Sequence, residues 1–175
     1  SHWLTPARWM YYHLLDGDWA SNALSWQWVA GSNASKKYYA NQANINKFFY
    51  SDQHNTFLDS DYEALVNRPC PTALVPTTLP LLKTVLPVPQ KLVITPNEPI
   101  LIYNYYNLDP NWHLEGDYNR VLLLEPEIFE QYPVAPKNLE FMQALGANIK
   151  NLQVYIGSFE ALSKSYPNQE VIYKE

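Results

Sequence analysis

Residues 16–28 read DGDWASNALSWQW, and this stretch decides how the N-terminal third of the chain is built. It joins two carboxylates, Asp16 and Asp18, to a turn at Gly17, a carboxamide at Asn22 and two closely spaced indoles, Trp26 and Trp28. Gly17 suits the left-handed position that ends a helix, and Asp18 suits the N-cap of the next. The pattern predicts a first helix with Thr5 as N-cap and Pro6 at its first position, ending near Leu15. A second helix is expected from Trp19 to Ala30, stopped by Gly31. On it Asp18, Asn22 and Trp26 recur four residues apart and share one face. A carboxylate, a carboxamide and an indole make a poor apolar seam but a suitable wall for a flat ligand with polar edges. Trp28 falls elsewhere on the same helix, nearer Ser21 and Ser25.

Five of the six tryptophans lie within the first 28 residues, at Trp3, Trp9, Trp19, Trp26 and Trp28. A buried indole needs a partner for its N–H. The cluster therefore indicates either an unusually aromatic core or a site built from rings: a stacking platform, a redox relay or a flat-cofactor pocket. Taken singly, each tryptophan reads as core, and Asp16 and Asp18 read as helix-end caps. Their joint order carries the meaning.

That order, DGDWASN followed by SWQW, resembles the flavin-binding segment of DNA photolyases and cryptochromes, whose pattern is DGD-x-A-x-N-x-x-x-WQW. Trp3 lies 13 residues before Asp16, where the family carries the middle member of its tryptophan electron relay. Downstream, Ser35-Lys36-Lys37-Tyr38-Tyr39-Ala40 and Asn44-Ile45-Asn46-Lys47-Phe48 resemble the photolyase-related branch most closely. The resemblance covers about residues 3–50.

The resemblance implies FAD as cofactor, held by Asp16, Gly17, Asp18, Ser21, Asn22 and Trp26. Asp16 and Asp18 match the turn that hydrogen-bonds the flavin ring and its ribityl chain, and Asn22 matches the residue facing flavin N5. Trp26 matches the ring-proximal electron donor and Trp3 the next donor outward, which makes Trp26, Trp3 and Asn22 the implied catalytic set. Trp28, with Gln27 beside it, matches the aromatic that packs against flipped-out damaged bases. In such enzymes the protein fixes distances and excludes water while the cofactor supplies the chemistry, and the target base leaves the stack. The implied activity is that of a deoxyribodipyrimidine photolyase-like lyase, repairing UV-induced pyrimidine lesions in DNA by light-driven electron transfer from reduced FAD. A cryptochrome-like blue-light photoreceptor keeps the same flavin and tryptophans and stays open. So does a fragment with no flavin binding of its own. Trp28 favours repair, since its aromatic face serves a flipped base and is dispensable to a sensor.

The chain begins at Ser1, directly before the Trp3 segment, without the family's preceding helices and phosphate-binding loop. Residues 1–66 are therefore expected to be a partial helical FAD-binding segment. Its partners would be the remainder of that domain and, through the parent protein, damaged DNA.

Composition narrows the setting. Charged residues are only 17% and aromatics 15%, which implies much buried or interface surface. No apolar run approaches the ~20 residues that span a bilayer, so no membrane partner is expected. Cys70 is the sole cysteine, which excludes an internal disulfide and fits a reducing, cytoplasmic setting. Some members of the photolyase-related branch hold an iron–sulfur cluster, and one cysteine cannot supply its ligands. His2, His13, His54 and His113 have no metal-ligand spacing, so no metal site is expected. A net charge of −5 argues against nucleic-acid affinity for this segment alone. Lys36, Lys37 and Lys47 form the one local basic cluster, either a solvated loop or a phosphate contact.

Past residue 50 the organisation changes. A short helix is expected near Asp61 to Val66. Residues 67–99 hold eight of the 14 prolines and predict an extended Pro-rich linker, because proline disfavours helix and central strand alike. Residues 100–175 read as an α/β domain, whole or incomplete. Its strands are expected at Ile100 to Tyr106, Arg120 to Leu124, Gln153 to Ile156 and Glu170 to Tyr173, with helices at Asn138 to Ala147 and Phe159 to Ser165. Alternating strands and helices predict a mainly parallel sheet. This part faintly resembles the antenna-type α/β domain of the photolyase-related branch. Gly157-Ser158 lies where α/β folds bind ligands, and Asp109, His113, Glu115 and Asp117 share one loop; a plain turn and a solvated loop account for both. The fold class is thus mixed: a helical segment, a Pro-rich connector, then a small α/β domain.

Overall fold

The computed structural model describes residues 3–75 and 78–174, so His2 lies outside the described residues. The chain divides into two compact units, Ser1–Tyr11 with Gly17–Leu81, and Tyr12–Asp16 with Leu82–Glu175.

The helical elements of the N-terminal part are α1 (Leu4–His13), α2 (Trp19–Val29), α3 (Gln42–Phe49) and α4 (Tyr62–Asn67). Helix α1 starts one residue before Thr5, which is therefore helical and not the cap: the Ala7 N–H donates to Trp3 O at 3.1 Å. Pro6 sits in that first turn, where its missing N–H costs nothing. Helix α1 also stops two residues earlier than expected, and Leu15 and Asp16 form the turn. Gly17 is consequently buried and does not take the left-handed conformation expected of it; the glycines with positive φ are Gly31, Gly116 and Gly157. Helix α3 was not anticipated. Asn41 caps it by accepting from Asn44 N at 2.9 Å, and Tyr50, at φ 52°, ends it in a left-handed conformation usually left to glycine or asparagine. Buried Gln42 then receives a bond from Thr56, and Asn46 Nδ2 donates to Gln53 O at 2.9 Å, so the side chains of α3 order the loop that follows.

Among the described residues, 68–99 contain no helix, and strand begins only at Ile100. From Leu82 onward this stretch is nevertheless engaged within its unit. Thr84 Oγ1 accepts from Val134 N at 2.7 Å and donates to Val134 O at 3.1 Å. The Gln153 side chain imitates a strand partner, accepting from Val93 N at 2.7 Å and donating to Val93 O at 2.8 Å.

The α/β part carries β1 (Ile100–Tyr103), β2 (Asn119–Leu124), α5 (Pro126–Gln131), α6 (Pro136–Gly146), β3 (Gln153–Ile156), α7 (Phe159–Ser165) and β4 (Val171–Tyr173). The sheet has the order β3-β2-β1-β4 and every pairing is parallel. Strands β1 and β2 are buried throughout, as the central strands of a covered parallel sheet should be. Leu92, Ile100, Ile102, Val121, Leu123 and Leu162 form the core on one face. Strand β1 stops three residues short of Tyr106, because Asn104 Oδ1 accepts from Tyr106 N at 2.9 Å and turns the chain. Among the described residues no helix is long and apolar enough to cross a membrane.

Candidate functional site

Helix α2 collects most of the residues singled out above. Asp18 is its N-cap, in extended backbone at φ −94° and ψ 121°, and its carboxylate accepts from Ser21 N at 2.7 Å. That N–H holds the exposed carboxyl below its ordinary value. One turn on, Asn22 is partly buried and its amide donates to Ala7 O of α1 at 2.7 Å. Trp26, a further turn on, is half-buried and its carbonyl accepts from Ala30 N at 2.9 Å. Asp18, Asn22 and Trp26 therefore follow one another along a single helix, as their spacing requires. Ser21 and Gln27 are on the same helix; the Ser21 carbonyl accepts from Ser25 Oγ at 2.8 Å and the Gln27 carbonyl from Ser32 Oγ at 3.0 Å.

Trp3 is half-buried just before α1, in the same unit as α2. Asp16 is exposed and groups with the other unit, in the Tyr12–Asp16 segment. Within that unit the segment is held firmly. Ala135 N donates to Tyr12 O at 2.9 Å, and Asn138 Nδ2 donates to Tyr12 O at 3.0 Å and Leu14 O at 2.8 Å. Asn138 is 1% exposed, so this grip is part of the interior and not a surface ornament.

Trp28 is 52% exposed and does not stand alone. Its ring lies 5.2 Å from that of Tyr38 with the planes inclined by 33°, and Tyr38 lies 6.2 Å from Tyr62 at 31°. These offset, tilted contacts are favourable aromatic geometry. The sequence offered Trp28 as a stacking surface but not its two partners. The signal available was Gly31, which turns the chain back towards α2 and closes it with Tyr38 N donating to Val29 O at 3.0 Å.

Several polar features of the α/β part that the sequence singled out are taken up by internal contacts, while Asn107 Nδ2 and Asn138 Oδ1 are buried without a hydrogen-bond partner among the described residues. Ser158 caps α7 through Ala161 N at 3.1 Å, and Glu125 accepts from Phe159 N at 3.0 Å, so the chain's own carboxylate fills the turn after β3. Asp109 accepts from Asn111 N at 2.9 Å and pairs with Lys174 at 3.2 Å, and these contacts, the Asn111 N–H foremost, hold its carboxyl below its ordinary value. Among the described residues there is no group of three or more histidine, cysteine, aspartate or glutamate residues arranged to hold a metal.

Comparison with known families gives one finding. Residues 1–63 match the family model described as the FAD binding domain of DNA photolyase. The resemblance of this segment to the photolyase/cryptochrome family is thereby shown, on a stretch that spans α1, α2 and α3. No curated protein and no solved structure matches the chain.

The residues present suit one wall of a flavin site. The α2 stripe offers a carboxylate acceptor at Asp18, a carboxamide that can donate and accept at Asn22, and an oxidisable indole at Trp26. Asn22 has one of its two amide hydrogens committed to Ala7, which leaves the second hydrogen and its oxygen for a ligand.

Proposed function

We propose that this chain is part of a photolyase-like flavoprotein that repairs UV-induced pyrimidine lesions in DNA by light-driven electron transfer from reduced FAD. In this reading Asp16, Gly17, Asp18, Ser21, Asn22 and Trp26 bind the cofactor, together with the remainder of the FAD-binding domain. Bound FAD supplies the redox and light chemistry. Trp26 and Trp3 serve as electron donors, Asn22 orients its amide towards the reactive edge of the ring, and Trp28 and Gln27 meet the extruded bases. The similarity belongs to the photolyase-related branch in this reading.

The observation that carries it is the capped α2 stripe, Asp18 to Asn22 to Trp26, lying inside the segment that matches a photolyase FAD-binding model. The stripe supplies charge, amide and indole in the order a flat, polar-edged ligand requires. A sensor reading is favoured by one observation only, the packing of Trp28 on Tyr38, which already uses part of the ring. The absorption spectrum of the full-length protein as purified tests the cofactor. Flavin bands followed by light-dependent loss of pyrimidine dimers from irradiated DNA support repair, whereas flavin with unchanged dimers supports the sensor.

A further inference from the structure

A cleft of 480 Å³ opens in the helical unit between the Lys36–Tyr39 segment and α4, walled by Lys36, Lys37, Tyr38, Tyr62, Glu63 and Val66. None of these residues belongs to the flavin set. We propose that this cleft binds a free nucleoside monophosphate, with the base against the tyrosine rings and the phosphate at the two lysines.

The cleft is a formed feature. Gly31 has φ 68°, and a Cβ placed on it would lie 3.2 Å from both the Lys36 carbonyl carbon and the Lys37 nitrogen. The backbone carrying the lysines therefore lies directly against Gly31, and Tyr38 N closes the turn on Val29 O at 3.0 Å. The opposite wall is equally fixed: Asp61 caps α4 through Ala64 N at 2.7 Å, and Arg68 donates to Phe57 O at 2.8 Å. Tyr38 is held by ring contacts with Trp28 at 5.2 Å and Tyr62 at 6.2 Å.

The chemistry selects the ligand. A volume of 480 Å³ falls within the range of about 300–1,000 Å³ typical of small-molecule sites. Phenol faces and Val66 suit a planar ring, since base–aromatic stacking tolerates any base. Lys36 and Lys37 line the cleft, are exposed and take part in no ion pair among the described residues, and the proposal assigns their ammonium groups to the phosphate. Glu63 is an acceptor on the same wall. It suits a base with an exocyclic amine, and its charge opposes the second and third phosphates of a polyphosphate. Two lysines also fall short of the basic track that a nucleic-acid strand requires.

Titration of the ¹⁵N-labelled 175-residue chain with AMP, adenosine, inorganic phosphate and a short single-stranded oligonucleotide, followed by amide shifts, tests the proposal. AMP is expected to give saturable shifts at residues 36–39 and 62–67, adenosine weaker ones and phosphate alone none. The double variant K36E/K37E, at two exposed positions, is expected to keep the wild-type amide spectrum elsewhere and to weaken AMP binding by about tenfold. The proposal is overturned if AMP does not saturate, if phosphate alone does as well, if the oligonucleotide binds and AMP does not, or if K36E/K37E binds AMP unchanged. AMP is also the adenylate half of FAD, so saturable shifts centred on α2 instead of residues 36–39 and 62–67 would overturn this proposal without counting against flavin binding. The absorption spectrum of the purified full-length protein tests the flavin reading by itself.

Discussion

The side-chain amide of Asn22 donates to the carbonyl oxygen of Ala7 at 2.7 Å, joining the second helix to the first. Under the proposed function one residue thus both holds the fold and faces the cofactor. Removing the donor takes away the side-chain bond to the carbonyl of buried Ala7. Asn22→Ala is expected to destabilise the chain by about 0.5–1.5 kcal/mol. Asn22→Asp sets a carboxylate against that carbonyl and is expected to cost about 1–3 kcal/mol, read as a lower urea midpoint at unchanged slope. In the flavin-bearing protein Asn22→Asp is also expected to change the long-wavelength absorption that builds up during photoreduction, because a titratable group then faces the ring. Wild-type spectra and repair rates in that variant would remove Asn22 from the ring's edge.

Asp18 separates capping from charge. Its folded carboxyl is depressed by the Ser21 N–H, so its contribution is present above the unfolded carboxylate pKa of about 3.9 and is lost as pH falls through the lower folded value. Asp18→Asn keeps the cap and is expected to retain helicity at neutral pH while flattening this acid-side loss. Asp18→Ala is expected to lower stability at both ends. Circular dichroism melts across acid pH check the pair.

Tyr105 gives the alkaline counterpart. Burial, reinforced by Tyr106, pushes its phenol up to about 12, and its ring packs edge-on to Phe129 at 5.9 Å. A raised folded pKa means that the contribution is complete below the unfolded value of about 10 and is lost as pH rises towards 12. Tyr105→Phe is expected to remove this part of the alkaline loss, and spectrophotometric titration should show one fewer late-ionising tyrosine.

Asn138 is expected to behave as a buried clamp. Its amide serves the carbonyls of Tyr12 and Leu14. Tyr12 O keeps a second donor in Ala135 N, so the larger loss falls on Leu14 O. Asn138→Ala is expected to cost about 1–3 kcal/mol and to speed hydrogen exchange in the segment that leads to Asp16. A variant with wild-type stability and exchange would show that the clamp carries no energy.

The sequence made local features legible and left tertiary ones hidden. Strand β3 and helix α7 run over the residues their periodicity marks, because alternation and a serine cap specify them locally. The Asp18 cap was readable for the same reason. Helix α3 was not, since its polar run of asparagines resembles loop and its left-handed end at Tyr50 carries no glycine. The ends of α1 and β1 depended on how Leu15–Asp16 and Asn104 turn the chain. In the candidate site, the order of Asp18, Asn22 and Trp26 followed from helical spacing. The Asn22–Ala7 bond and the stacking of Tyr38 and Tyr62 behind Trp28 did not, because each joins residues distant in sequence.

The central claim, that α2 forms the electron-donating wall of a flavin site, is tested most directly by photoreduction of the full-length protein carrying Trp26→Phe. Phenylalanine keeps a flat ring but is far harder to oxidise than indole. The account predicts that the variant retains its flavin and its helical signal and loses most light-driven reduction by an external reductant. Photoreduction at the wild-type rate, or loss of flavin together with the fold, would contradict it and return Trp26 to the core.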